Sequence, residues 1–136
     1  MTPRYHLDAN VVLRFLRNDD PKQSIAAARM FESAKAGKIR LTISAVSVAE
    51  AFYVLARVYK HTRPDAAGKL LPLIQSGALE VDDRDRVLDA LRRVIRANVD
   101  FGDGYLAATA AERGESIASF DADLRFFTDV ATIVPV

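Results

Sequence analysis

Short apolar runs alternate along the chain with longer segments in which hydrophobic residues recur at helical spacing. The short runs predict strands at residues 4–7, 39–43, 79–81, 116–120 and 131–136. The longer segments predict helices that begin near residues 11, 20, 45, 62, 84 and 100. Such alternation is typical of a largely parallel sheet whose right-handed crossovers place helices on both faces. The pattern therefore predicts an α/β fold of the three-layer α/β/α sandwich type.

Residues at the predicted helix boundaries support this division. Asp20 followed by Pro21 is typical of a helix start, with a capping side chain and a first residue that needs no hydrogen-bond donor. Gly114 is expected to stop the helix that begins near residue 100. Pro72 is expected to kink or end the helix that contains it. One long apolar helix is expected over residues 45–59.

Length and composition favour a single globular domain over residues 1–136. The chain has 136 residues, half of them hydrophobic, with no repeat, linker or low-complexity segment. It has no cysteine, so neither a disulfide framework nor a cysteine-ligated zinc site is expected. No run is apolar enough to span a membrane, and His6, Asp8 and Asn10 interrupt the segment where a signal peptide needs an apolar core. We therefore expect a cytoplasmic protein.

The net charge of +1 favours no class of partner, so any surface for nucleic acid must be local. Four acids have placements that suggest a site. Asp8 follows the first predicted strand, Asp121 follows the fourth, and Asp103 lies in the first turn of the helix that leads to the fourth. Glu50 is the only charged residue between positions 45 and 56, so its carboxylate is expected to be half-buried or to face a cleft. Ligands of open parallel sheets bind beyond the carboxyl ends of the strands, where these acids are expected.

Each acid also has a purely structural interpretation. Asp8 and Asp121 could each cap the helical turn that follows. Glu50 could form a capping box with Ser47. Asp100 could cap the helix that contains Asp103 by the same device. These alternatives explain the acids singly but not why they collect at one end of the sheet.

Four carboxylates in one place call for a cation. At an effective dielectric constant of about 20, two carboxylates about 5 Å apart repel by roughly 3 kcal/mol. Either some are protonated or a cation neutralises them, and oxygen ligands without cysteine favour Mg²⁺ or Mn²⁺. Such ions activate water and stabilise negative charge during phosphodiester hydrolysis. Gly102 and Gly104 flank Asp103, which suggests that a phosphate backbone passes close by.

The acids and their surroundings resemble those of the PIN (PilT N-terminus) domain. The match consists of DAN at residues 8–10, Glu50 in an apolar helix, Asp103 within DFGDGYLAATA and Asp121 within SFDADL. More closely, and nearly end to end, the chain resembles the VapC toxins of bacterial and archaeal toxin–antitoxin pairs. The resemblance implies a five-stranded, mostly parallel sheet in the order 3-2-1-4-5. It also implies a Mg²⁺-dependent endoribonuclease, usually dimeric, that is restrained by a VapB-type antitoxin.

The resemblance implies a role for each matching residue. Asp8 and Asp103 correspond to direct metal ligands, whereas Glu50 and Asp121 correspond to acids that bind the metal through water or orient that water. Asn10 corresponds to a residue that braces Asp8.

Two positions depart from the family pattern. Ala9 replaces the common threonine and so lacks its hydroxyl, and Gly104 stands where alanine is usual. Asp100 and Asp123 are auxiliary acids or helix caps.

Several functional questions stay open at this stage. Arg14 and Arg17, with Gly104, are candidates for contact with RNA, and the basic turn at residues 60–63 either contacts RNA phosphates or is simply solvated. A metal-dependent DNA nuclease would use the same chemistry, and a non-catalytic PIN-like interaction module is the third alternative. A phosphatase with Asp8 as nucleophile is disfavoured because position 10 is Asn rather than a second acid. The sequence does not identify the RNA, the antitoxin or the number of metal ions.

Overall fold

A computed structural model describes all 136 residues and confirms the α/β class. The strands are β1 (Arg4–His6), β2 (Arg40–Ile43), β3 (Leu79–Val81), β4 (Ile117–Ala118) and β5 (Thr132–Ile133). The helices are α1 (Ala9–Leu16), α2 (Pro21–Lys35), α3 (Ala45–Tyr53), α4 (Arg63–Gln75), α5 (Arg84–Ala97) and α6 (Phe101–Arg113). A π-helix (Val54–Val58) continues α3, and a short 3₁₀-helix (Ala122–Phe126) follows β4.

All strand pairs are parallel, as predicted. The strands β1, β2 and β3 are adjacent in that order, and His6 pairs with Thr42, which in turn pairs with Glu80. The strands β4 and β5 form a second pair, with Ile117 opposite Thr132. The predicted order 3-2-1-4-5 is thus present as two pieces, 3-2-1 and 4-5. No hydrogen-bonded ladder joins β1 to β4, so the five strands are not one continuous sheet.

The core lies mainly between the sheet and the helices. A hydrophobic cluster runs from Leu7 to Val130 and includes the fully buried side chains of Phe52, Leu91 and Leu124. Helix α5 is strongly amphipathic and packs along both α4 and α6. This packing holds the first turn of α6, which carries Asp103, against the rest of the domain.

Several predicted boundaries are confirmed by their hydrogen bonds. The Asp20 carboxylate accepts from the backbone N–H of Gln23 at 3.1 Å and caps α2. Gly114 ends α6 in the left-handed conformation, with φ of 65°.

None of the helices combines the length and the hydrophobicity that are needed to span a lipid bilayer.

Two predictions about helix ends are wrong. Helix α4 does not end at Pro72 but runs on to Gln75, because the proline removes only the bond to the carbonyl of Gly68, an exposed residue that water can reach, and a kink at Pro72 stays a prediction. The helix predicted over residues 45–59 changes after Tyr53 into a π-helix, in which Tyr59 N–H bonds to the carbonyl of Val54. Hydrophobic spacing over so short a stretch does not distinguish α from π geometry.

Candidate functional site

Asp8 and Asp121 each follow a strand and cap the helical turn that comes next. The Asp8 carboxylate accepts from the backbone N–H of Asn10 at 3.4 Å, and that of Asp121 accepts from the backbone N–H of Asp123 at 2.9 Å. Asn10 thus contacts Asp8 through its main chain rather than through its side-chain amide. Each cap uses one oxygen of an exposed carboxylate, and a carboxylate has two oxygens with about four acceptor positions. Capping and binding of a cation are therefore compatible at both residues.

Asp103 lies in the first turn of α6 and is partly buried. Burial raises the pKa of its carboxyl, and the negative charges of Asp121, Asp100 and Asp123 raise it further, against the opposing charge of Arg63. The acids after β4 and those at the start of α6 are therefore close enough for their negative charges to repel one another. A negative charge at Asp103 is unfavourable, and a cation beside it would relieve that cost.

Asp100 holds the N-cap position of α6 but does not act as a cap. Its side chain makes no capping hydrogen bond, so the predicted capping box is wrong. Its carboxylate pairs instead with Arg63 Nε at 3.3 Å, while Arg63 Nη1 donates to the carbonyl oxygen of Asn98 at 3.2 Å. Arg63 therefore ties the beginning of α4 to the beginning of α6.

Glu50 is exposed on α3, which makes the half-buried alternative wrong, while the alternative of a carboxylate that faces a cleft stays a prediction. The capping-box alternative is also wrong, because Ser44 caps α3 by accepting from the N–H of Ser47, and Ser47 lies inside the helix. Contact between the rings of Phe52 and Phe101, with centroids 6.0 Å apart, fixes α3 beside the first turn of α6. The carboxylate of Glu50 has no hydrogen-bond or ion-pair partner of its own within the chain.

The four acids do not form a ready metal-binding group. No set of three or more histidine, aspartate or glutamate side chains lies in a position to hold a metal ion. Two of the carboxylates are directed to backbone amides and Glu50 points into water, and mutual repulsion favours such separation. The chemistry of the donors fits a hard divalent cation, and the raised pKa of Asp103 fits a need for positive charge.

The glycines around Asp103 serve packing within the protein. Gly104 is buried, and a Cβ atom there would lie 2.8 Å from the carbonyl oxygen of Ala90 and 3.3 Å from Cγ2 of Val94. The expectation that Gly104 leaves room for RNA is therefore wrong, because α5 occupies that space. Gly102 is exposed, but a Cβ atom there would lie 3.2 Å from the hydroxyl of Tyr53. The sequence shows that something approaches α6 closely, whereas the fold determines what it is.

The two arginines considered for RNA contact differ in their pairing. Arg14 donates from Nε to the side chain of Gln23 at 2.7 Å and pairs with Asp19 at 3.3 Å. Arg17 stacks over the ring of Tyr59, 3.5 Å from its centroid, and donates from Nη1 to Nε2 of His61 at 3.2 Å. Arg17 also pairs with Asp19 at 3.6 Å, so both arginines are engaged by partners within the chain, and each of them lines a pocket.

A polar pocket of about 440 Å³ lies beside Asp100, and its lining includes Tyr53, Arg57, His61 and Arg63. Sequence reasoning noted the basic turn at residues 60–63 but missed Arg57. No local signal identifies Arg57, because the π-helix decides which way that side chain points.

Comparison with known proteins agrees with the arrangement of the fold. The sequence profile of the PIN domain matches residues 5–131. A search of curated proteins found no match. The profile covers nearly the whole chain, which therefore belongs to the PIN-domain family, whose members are typically metal-dependent nucleases.

Proposed function

We propose that this member of the PIN-domain family is a Mg²⁺-dependent endoribonuclease, with residues 1–136 acting as one domain. We propose further that it is the toxin of a VapBC-type toxin–antitoxin pair. The observation that carries the proposal is the position of Asp103 in the first turn of α6, where burial and then the negative charges of Asp121 and Asp100 raise the pKa of its carboxyl. Perturbed carboxyl groups of this kind concentrate at catalytic sites.

Each acid has a proposed role. Asp8 and Asp103 would hold the cation directly, and Glu50 and Asp121 would hold or orient its water. The bound cation would activate a water molecule and stabilise negative charge on the phosphate, and Mn²⁺ would substitute for Mg²⁺. The caps at Asp8 and Asp121 fix the direction of one oxygen and leave the other free, while the unpartnered Glu50 is free to turn.

The proposed partners are an RNA substrate, a VapB-type antitoxin and a second copy of the chain. An open acidic site suits an antitoxin that inserts a basic side chain beside the carboxylates, because complementary charge favours such a contact. Phe120, which precedes Asp121, and Phe126, at the end of the following 3₁₀-helix, are 79% and 59% exposed, which suits contact with another protein.

The direct test is cleavage of single-stranded RNA by the purified protein with Mg²⁺, with Mn²⁺ and with excess EDTA. We expect cleavage with either metal and none with EDTA, and a matched single-stranded DNA should be spared. Full activity in EDTA would contradict metal dependence, and faster cleavage of DNA would favour the DNA-nuclease alternative.

The toxin role needs a separate test in cells. Expression of the protein should arrest growth, and co-expression of the adjacent small reading frame should relieve the arrest and yield a stable complex. Failure of every neighbouring frame to protect the cell would contradict the toxin proposal without affecting the nuclease proposal.

A second candidate function is a non-catalytic PIN module that binds nucleic acid. The observation that favours it is that no three acids lie in position to hold a metal ion. Binding of RNA without cleavage in either Mg²⁺ or Mn²⁺ would support this alternative.

A further inference from the structure

The pocket beside Asp100 contains an arginine that the chain does not neutralise. Arg57 is exposed on the π-helix, and no carboxylate or carbonyl within the protein accepts a hydrogen bond from it. Its guanidinium lies 5.0 Å from the centroid of the Tyr53 ring, and both residues line the pocket. By contrast, Arg63 at the other side of the pocket is paired with Asp100 at 3.3 Å.

The backbone around Arg57 departs twice from ordinary helical geometry. The π-helix over Val54–Val58 replaces the last turns expected of an α-helix, and such segments occur often at functional sites. Lys60 then adopts a left-handed conformation with φ of 58°, which is uncommon for a residue with a side chain. The reversal lets the N–H of His61 bond to the carbonyl of Leu55 at 3.0 Å. Together these features place Arg57 and His61 on the same pocket.

A second polar pocket, of about 320 Å³, shares His61 with the first. Its lining also includes the cations of Arg17 and Lys69 and the carboxylate of Asp19. Arg17 keeps a buried Nε without a hydrogen-bond partner, although Asp19 lies 3.6 Å away. Four cations therefore line the two pockets against two acids, Asp100 and Asp19, and Arg57 and Lys69 are the cations without an acid partner. We call these two adjoining pockets the basic groove.

The basic groove suits an extended polyanion better than a compact ligand. Its cationic side chains follow one another through two open pockets rather than converging on one point. The rings of Tyr53 and Tyr59 lie beside Arg57 and Arg17, and aromatic side chains between cations are typical of surfaces that bind single strands. The groove starts at Asp100, next to the proposed cleavage site.

We propose that the basic groove binds the phosphate backbone of single-stranded RNA on one side of the cleaved bond, with Arg57 as its main contact. The inference rests on the proposed ribonuclease function and adds the path that the RNA strand follows along the protein surface. Arg57 binds and positions the RNA and takes no part in the chemical step.

Binding can be measured without cleavage. Fluorescence anisotropy in EDTA would follow a labelled single-stranded oligoribonucleotide of roughly ten nucleotides, a length that spans a groove of this kind. Arg57→Gln should weaken binding by about five-fold at low salt, the upper range for an exposed charge contact. It should also lower the slope of log K against log salt by about 0.7, the value for one phosphate contact on a single strand. Arg57→Lys should retain most of the slope.

The matched control is Arg92→Gln, which removes the same charge from an exposed, unpaired arginine on α5 outside both pockets. Thermal unfolding should be unchanged in both variants. If Arg57→Gln lowers affinity and salt slope no more than Arg92→Gln does, the groove proposal is wrong.

Cleavage gives a second measurement. With a long oligoribonucleotide, Arg57→Gln should raise KM and leave kcat nearly unchanged, whereas cleavage of a dinucleotide should be unaffected because it does not reach the groove. An equal loss on both substrates would overturn the assignment. A wild-type protein that neither binds nor cleaves RNA would instead contradict the proposed function, and the groove proposal with it.

Discussion

The fold neutralises the carboxylates around Arg93 of α5 but leaves Asp103 of α6 without a direct cationic partner. On α5, the buried Arg93 pairs with Asp89 at 3.1 Å and donates from Nη1 to Asp129 at 3.0 Å. Hydrogen bonds from Arg93 hold the pKa of Asp129 below its usual range. On α6, burial and the neighbouring acids raise the pKa of Asp103.

The difference separates carboxylates that stabilise the fold from those that are available for chemistry. The acids around Arg93 have a cation supplied by the protein, and the Arg93 guanidinium also lies 5.0 Å from the ring centroid of Phe127, next to β5. Asp103 has no direct ion-pair partner, although the chain contains 19 basic residues. A partly buried carboxylate left without an ion-pair partner is therefore a better guide to the site than the number of acids alone.

The largest effect should come from Asp103→Asn, which keeps the shape of the side chain but removes its charge. We expect RNA cleavage to fall by at least about 100-fold, since even residues outside the direct ligands of a metal change activity by about 10- to 100-fold. Without metal, the melting temperature should hold or rise slightly, because repulsion with Asp121 and Asp100 is removed. Asp129→Asn is the control and should keep activity. Wild-type cleavage by Asp103→Asn would refute the assigned role.

The next largest effect should come from a change at the contact between α5 and α6. Gly104→Ala places a Cβ atom 2.8 Å from a backbone carbonyl of α5, and such overpacking should lower the free energy of unfolding by about 1–3 kcal/mol. Gly68→Ala is the control in the exposed part of α4, where nothing lies within 4 Å, and should raise it by about 0.5–1 kcal/mol. Denaturant unfolding measures both. If Gly104→Ala is neutral, α6 does not need this close approach.

Removal of the Arg93 cation, which pairs with Asp89 and Asp129, should have a moderate effect on stability. Arg93→Met keeps much of the buried volume but loses two ion pairs with exposed acids and the contact with Phe127. Because the acids can be hydrated, we expect a loss of about 1–2 kcal/mol in unfolding free energy, with cleavage retained. A loss of cleavage without a loss of stability would show that the cluster around Arg93 and the acids around Asp103 are not separate in function.

Asp129 and Asp103 should contribute to the pH dependence of folding stability with opposite signs. The lowered pKa of Asp129 stabilises the fold above the pKa of the unfolded chain, and this contribution is lost as pH falls through the folded value. The raised pKa of Asp103 acts the other way, since its penalty is present at neutral pH and is relieved as pH falls through the raised value. In metal-free melting between pH 7 and pH 3, Asp129→Asn should be less stable than wild type at the upper end, and Asp103→Asn more stable. Both differences should shrink in acid.

The smallest effect is expected at Asp100. Its carboxylate makes no capping bond and only an exposed ion pair with Arg63, so Asp100→Ala should change the unfolding free energy by no more than about 0.5 kcal/mol. Cleavage should stay within a few-fold of wild type. A loss as large as that of Asp103→Asn would mean that Asp100 belongs among the metal ligands.

Local sequence signals determined most of the elements. Alternating apolar runs located the five strands, and the amphipathic spacing of residues 84–97 matches α5 at both ends. Asp20 and Gly114 marked a helix start and a helix end correctly. These signals succeed because capping, turn conformation and hydrophobic spacing act within a few residues along the chain.

The tertiary structure determined which contacts each of the residues singled out in the sequence makes. Gly104 was correctly recognised as a point of close approach, but its partner is the backbone at Ala90 on the preceding helix α5. Glu50 in an apolar helix proved exposed, and Arg57 of the π-helix proved to line the pocket beside Asp100. Burial, pairing and charge crowding depend on which surfaces meet in space, and that choice is made by packing over the whole fold rather than by the neighbours of a residue in sequence.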